Sequence, residues 1–262
     1  MPSHKVHAIV GKLVCGFSAK EIDKLVDKKY HHDLSRISCR EFFNQASIIY
    51  KKYGEKGICY FALHHYLDKL VSIMKGKIEV KIALPYEDLE KYLKNLISDI
   101  RTGLSNEISV LSLLTIHEQL LDDPRLQKYK FYKKYPRLKE DSELLKVLIE
   151  NDIDEIIRDY SLIFRRAGYS RRDAKRKASL LFEIASECGD AIKNAKENYE
   201  SDNEFMTFLN AVKQGIREAY EGILTNANKI VCILLIEDTQ YWKKYFGQLY
   251  NKILNIINCN KI

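Results

Sequence analysis

Breakers are scarce: the 262-residue chain holds only 4 Pro and 11 Gly. So few turn formers over such a length exclude a fold of many short strands and favour long helices. The six cysteines, Cys15, Cys39, Cys59, Cys188, Cys232 and Cys259, include no C-x-x-C pair, which argues against a zinc ribbon or a thioredoxin-like site. The longest clean apolar run, Ile230 to Ile236, is far too short to span a bilayer. No signal peptide is legible, because the N-terminus is polar and rich in His and Lys. These absences lead us to expect a cytoplasmic protein with reduced, mostly buried thiols.

What is present fits a globular, all-α chain. Apolar residues make up 46% and charged residues 30%, a balance that can support a core and rules out wholesale disorder. The net charge of +7 permits acidic partners without demanding them.

Helix starts are legible. Ser18-x-x-Glu21, Ser38-x-x-Glu41 and Ser170-x-x-Asp173 read as capping boxes. Apolar residues follow at helical spacing: Ile22, Leu25 and Val26 after the first, Phe42, Phe43, Ala46 and Ile49 after the second. Gly54 and Gly57 bracket the start of a further helix, from about Lys56 to Met74. Strand-like alternation occurs only at 76–84, so at most one short extended segment is expected near 77–84. Pro124 to Leu138 reads as a connector between an N-terminal lobe, 1–123, and a C-terminal lobe of long helices, 124–262, unless the two form one continuous domain. The last predicted helices cover Ser142–Ala167, Ser170–Tyr199, Asp202–Asn226 and Asn228–Ile257.

Chemistry concentrates at the N-terminus. Six of the seven histidines fall in the first 65 residues, where an even scatter would put about two. His4 and His7, three apart, share a helix face. His32 directly precedes Asp33. His64 and Asp68 are four apart and His65 and Asp68 three apart, so either pair converges beside one helix. Imidazole with carboxylate is the ligand set of zinc, iron and manganese in hydrolytic sites.

His7 followed by His32-Asp33 resembles the H…HD pattern of the HD metal-dependent phosphohydrolases. That resemblance implies one or two divalent metals, held by His7, His32, Asp33 and a later Asp, with Asp68 the nearest candidate. It also implies attack of a metal-bound water on phosphorus. The opening Met-Pro-Ser, His7 and the His64-x-x-x-Asp68 helix are also similar to the all-helical zinc-dependent phospholipases C. The Pro-x-His that often follows the helical Asp in that group is missing from Lys69 to Met74. Both resemblances cover about the first 75 residues.

The expected metal ligands are therefore His7, His32, Asp33, His64 and Asp68, on a divalent zinc, iron or manganese ion. His4, His31 and His65 stand in reserve, and His117 reads as core or surface. Arg36, one turn beyond His32, is placed to hold a substrate phosphate. Glu21, Asp23 and Asp27 are near enough in sequence to steady a ligand imidazole, and Lys12 lies close by. The simpler reading of all these supporting groups is a solvated helix face.

Two segments point elsewhere. Lys128 to Tyr135 interleaves cations with aromatics, and 165–177 packs seven cations into thirteen residues. Such composition suits a nucleic-acid surface. It equally suits cations that neutralise a helix C-terminus. The aromatic stripe Tyr241, Trp242, Tyr245, Phe246 and Tyr250 reads as core, or else as an oligomer interface. The leading functional expectation is a metal-dependent hydrolase of a phosphoester. The alternative is a non-enzymatic helical protein that binds nucleic acid or a protein partner.

Overall fold

A computed structural model describes residues 2–27, 38–79, 161–162, 164–165, 169–257 and 259. These residues are 88% helical and contain no strand, so the all-α expectation is met. The helices are α1 (His4–Val14), α2 (Lys20–Asp27), α3 (Cys39–Glu79), α4 (Arg171–Lys196), α5 (Asp202–Thr225), α6 (Ala227–Glu237), α7 (Thr239–Phe246) and α8 (Tyr250–Ile256). The boundary expected at 123/124 lies outside the described residues.

Local chemistry explains most of the helix ends. Ser3 caps α1, its hydroxyl accepting from the Val6 N–H at 3.4 Å. Ser38 accepts from the Glu41 N–H at 3.2 Å, and Ser170 from the Asp173 N–H at 3.1 Å, as the two capping boxes predicted. The third box fails. α2 starts at Lys20, with the Ala19 carbonyl accepting from Ile22 at 3.0 Å, so Ser18 stands one residue too early to cap it.

Gly54 interrupts α3 with φ 63°, a left-handed conformation that costs glycine nothing. The two halves of α3 thus match the predicted break before Lys56. The second half runs on to Glu79, so the start of the 77–84 segment is helical rather than extended; the remainder lies outside the described residues. A larger correction falls at the C-terminus. The single helix expected over 228–257 is three helices, broken at Asp238 and again at Gly247, where φ is 54°. The Asp238 carboxylate at the first break accepts from the Ser3 N–H at 2.9 Å and fastens the start of α1 to the α6–α7 corner.

One hydrophobic core joins the N- and C-terminal helices. α5 lies along α3, burying Phe205, Phe208, Val212, Ile216 and Ile223, and α4 covers α3 beside it. Phe42 stacks on Phe61 with ring centroids 5.2 Å apart, and Tyr199 stacks on Phe208 at 5.0 Å. Each fully buried phenylalanine among these, Phe42, Phe61 and Phe208, contributes about 1.5–3 kcal/mol. In the aromatic stripe, Trp242, Phe246 and Tyr250 are buried, which favours the core reading.

The cysteines are buried, as expected, but they are not reduced thiols. Cys15 pairs with Cys59, Cys39 with Cys188, and Cys232 with Cys259, over sequence separations of 44, 149 and 27. Partners that distant become neighbours only through tertiary packing, which spacing alone does not reveal. Disulfides persist in oxidising compartments and in intracellular proteins of hyperthermophiles. Among the described residues no single helix is long and apolar enough to cross a membrane.

Candidate metal centre

Three helices meet at one polar corner. α1 turns inward with Val6, His7, Val10 and Gly11, so the face that enters the core carries an imidazole. α2 is strongly amphipathic, and its inner face holds Ile22, Asp23 and Val26. On α3, Tyr60, His64 and Asp68 recur every four residues and share one face. Gly11 lets α1 approach that face closely, since a Cβ there would overlap the Tyr60 ring. Cys15–Cys59 ties the end of α1 to α3 one residue before Tyr60.

His7, His64 and Asp68 each offer a ligand atom, and all three atoms lie within 4.8 Å of one another. His64 Nε2 is 3.7 Å from Asp68 Oδ2, and His7 Nε2 is 4.0 Å from Asp68 Oδ1. Both separations exceed the hydrogen-bond range. Atoms bound to one tetrahedral zinc ion stand about 3.3–3.6 Å apart, so a small contraction of this trio would seat a cation. The His7 and His64 rings are stacked, with centroids 3.8 Å apart. Two imidazoles stacked this way cannot both be imidazolium cations cheaply.

The electrostatics reflect that constraint. Burial opposes charge on His64, but hydrogen bonds to Asp23 and Asp27 and the charge of Asp68 outweigh it, and its pKa is pushed up to about 9. Burial, reinforced by the positive charge of His64, holds the His7 pKa well below the ordinary imidazole value. His7 is thus a neutral imidazole beside an imidazolium. A bound cation would replace the His64 proton as the charge that the carboxylates surround.

Asp27 faces both exposed and buried histidines. Its Oδ1 is 3.4 Å from His64 Nε2 and its Oδ2 is 3.3 Å from His4 Nε2. His4 is 51% exposed and Asp27 26%, whereas His7 and His64 are almost fully buried, so the corner opens to solvent on the His4–Asp27 side.

Of the five expected ligands, the structure brings together His7, His64 and Asp68. His32, Asp33 and the phosphate-holding candidate Arg36 lie outside the described residues, as do His31 and His117. His65 is buried against Phe61, edge to face at 5.0 Å, and stays out of the trio. Glu21 and Lys12 are exposed, as the solvated reading held. Asp23 and Asp27 correct that reading: Asp23 is 2% exposed, Asp27 is part-buried, and both contact His64. Tyr60 was missed, although its four-residue step from His64 was the available signal.

No family model, curated protein or solved structure matches the chain. Function is therefore argued from the corner itself.

Proposed function

We propose that the protein is a metal-dependent hydrolase of a phosphoester, its divalent zinc, iron or manganese ion held by His7, His64 and Asp68. The observation that carries this reading is the convergence of those three residues from two helices, nearly closed to solvent. Burying two imidazoles and a carboxylate is costly, and a shared cation offsets that cost. Bound there, the ion would lower the pKa of a coordinated water and polarise a phosphoryl oxygen.

The chain's own groups have distinct parts in this reading. His7 presents a neutral Nε2. Asp27, on the solvent side, is placed to accept a proton from incoming water. Arg36 is assigned to the substrate phosphate from its place one turn beyond His32 in the sequence, and His32-Asp33 to the rest of the ligand set on the H…HD resemblance. The test is hydrolysis of bis(p-nitrophenyl) phosphate and p-nitrophenyl phosphate by protein loaded with each metal in turn. Metal-dependent turnover that disappears in Asp68→Asn supports the reading. Loaded protein that turns over neither ester refutes the hydrolase while leaving the metal site standing.

The exposure of Arg165, Arg171, Arg172, Lys175 and Arg176 favours a second reading, a phosphate-backbone surface at the start of α4. Binding to mixed-sequence RNA that falls steeply with salt would support it. No binding at low salt would count against it.

A further inference from the structure

Asp23 is the most deeply buried carboxylate of the corner, 2% exposed against 7% for Asp68 and 26% for Asp27. A carboxylate so placed needs donors. Its Oδ1 accepts from the Tyr60 hydroxyl at 2.8 Å and lies 3.2 Å from His64 Nδ1. Its Oδ2 lies 3.6 Å from His4 Nδ1. An ionised carboxylate only accepts, so the His64 nitrogen facing it must be N–H. Asp23 therefore engages Nδ1, while Nε2 of the same ring faces Asp27 at 3.4 Å and Asp68 at 3.7 Å, and its proton is the one a bound cation would displace. This is the division of labour seen where an outer carboxylate fixes the tautomer of a ligating histidine. His7 differs, since its Nδ1 is buried with no hydrogen-bond partner among the described residues.

Resting on the reading of His7, His64 and Asp68 as a cation site, we propose that Asp23, anchored by the Tyr60 hydroxyl, is the positioning residue that holds His64 as the Nδ1–H tautomer and aims its Nε2 at the ion. Tyr60 is itself set by the close approach of α1 at Gly11. The chain of contacts then runs from α1 through Tyr60 and Asp23 to His64, and each link lies on a different helix from the one before it or is fixed by that helix.

The experiment titrates zinc into wild type, Asp23→Asn, Asp23→Glu and Tyr60→Phe, with cobalt(II) absorption reporting ligand geometry. Asp23→Asn should bind zinc about 10–100-fold more weakly, with an altered cobalt spectrum. Asp23→Glu should recover part of that loss, and Tyr60→Phe should weaken binding less, in the same direction. In metal-free protein labelled with nitrogen-15, the His64 Nδ1 proton should be protected in wild type and lost to exchange in Asp23→Asn. Tyr60→Phe leaves the carboxylate in place, so it reports even if Asp23→Asn does not fold. Zinc uptake by wild type, with Asp23→Asn and Tyr60→Phe binding equally well, overturns the positioning role alone. No zinc uptake by wild type overturns both the positioning role and the metal reading.

Discussion

The two ends of the chain use burial in opposite ways. The corner of α1, α2 and α3 hides His7, Asp23, His64 and His65 from water. The helices α5 to α8 hide almost nothing polar: Trp242, Phe246, Tyr250 and Ile253 fill their interior, and Lys213 is the one buried charged side chain there among the described residues. Apolar burial stabilises by itself. Polar burial does so only when every group finds a partner, and it is kept where it does chemistry. The C-terminal helices are the frame, and the N-terminal corner is the part that frame holds in place. α3 belongs to both, packing on α5 along one side and carrying His64 and Asp68 on another.

That contrast breaks if mutations in the two regions fail to separate metal binding from stability. The largest effect is expected from Asp68→Asn, which should abolish metal retention while circular dichroism still shows a folded helical protein. Next comes the Cys39–Cys188 bridge. Closing 149 residues of sequence, it should contribute about 5 kcal/mol by chain entropy. Replacing both cysteines by serine should lower the thermal midpoint sharply, with metal stoichiometry unchanged below it. Trp242→Ala, which empties a fully buried site, should cost ~3–5 kcal/mol in denaturant unfolding and again leave metal binding intact.

The pH dependence of metal-free protein near neutrality sharpens the comparison, because among the described residues the shifted histidines, His7 and His64, both lie in the corner. The raised His64 pKa contributes stability that is complete below the unfolded value of 6.5 and is lost as pH rises through about 9. The lowered His7 pKa acts in the other direction, its contribution fading as pH falls below 6.5. Denaturant midpoints of chelated protein should therefore fall between pH 6.5 and 9, and His64→Gln should flatten that slope. The smallest effect is expected from Lys51→Ala. Its exposed ammonium donates to the Asn198 carbonyl at 3.1 Å and sits 5.0 Å from the Tyr199 ring centre, a contact worth less than about 1 kcal/mol.

Much of the frame was legible because helices announce themselves locally. Ser38, Ser170 and Gly54 mark ends that the structure keeps. The C-terminal breaks were not read, since apolar periodicity continues through Asp238, although Gly247 was a visible warning. His7, His64 and Asp68 were legible through clustering and a four-residue step. Asp23 was named beside Glu21 and Asp27 but could not be singled out, because nothing local distinguishes an inward carboxylate on an amphipathic helix from a solvated one. Docking of α2 against Tyr60 and His64 decides it. Cysteine pairing was hidden for the same reason: it depends on which helices touch.

The central claim is that the buried trio holds a metal. Elemental analysis of protein purified from metal-supplemented medium, then reconstituted and desalted, tests it most directly. The account predicts roughly one tightly held divalent ion per chain in wild type and its loss in Asp68→Asn. Less than about a tenth of an equivalent in wild type after reconstitution with zinc, iron and manganese would contradict it.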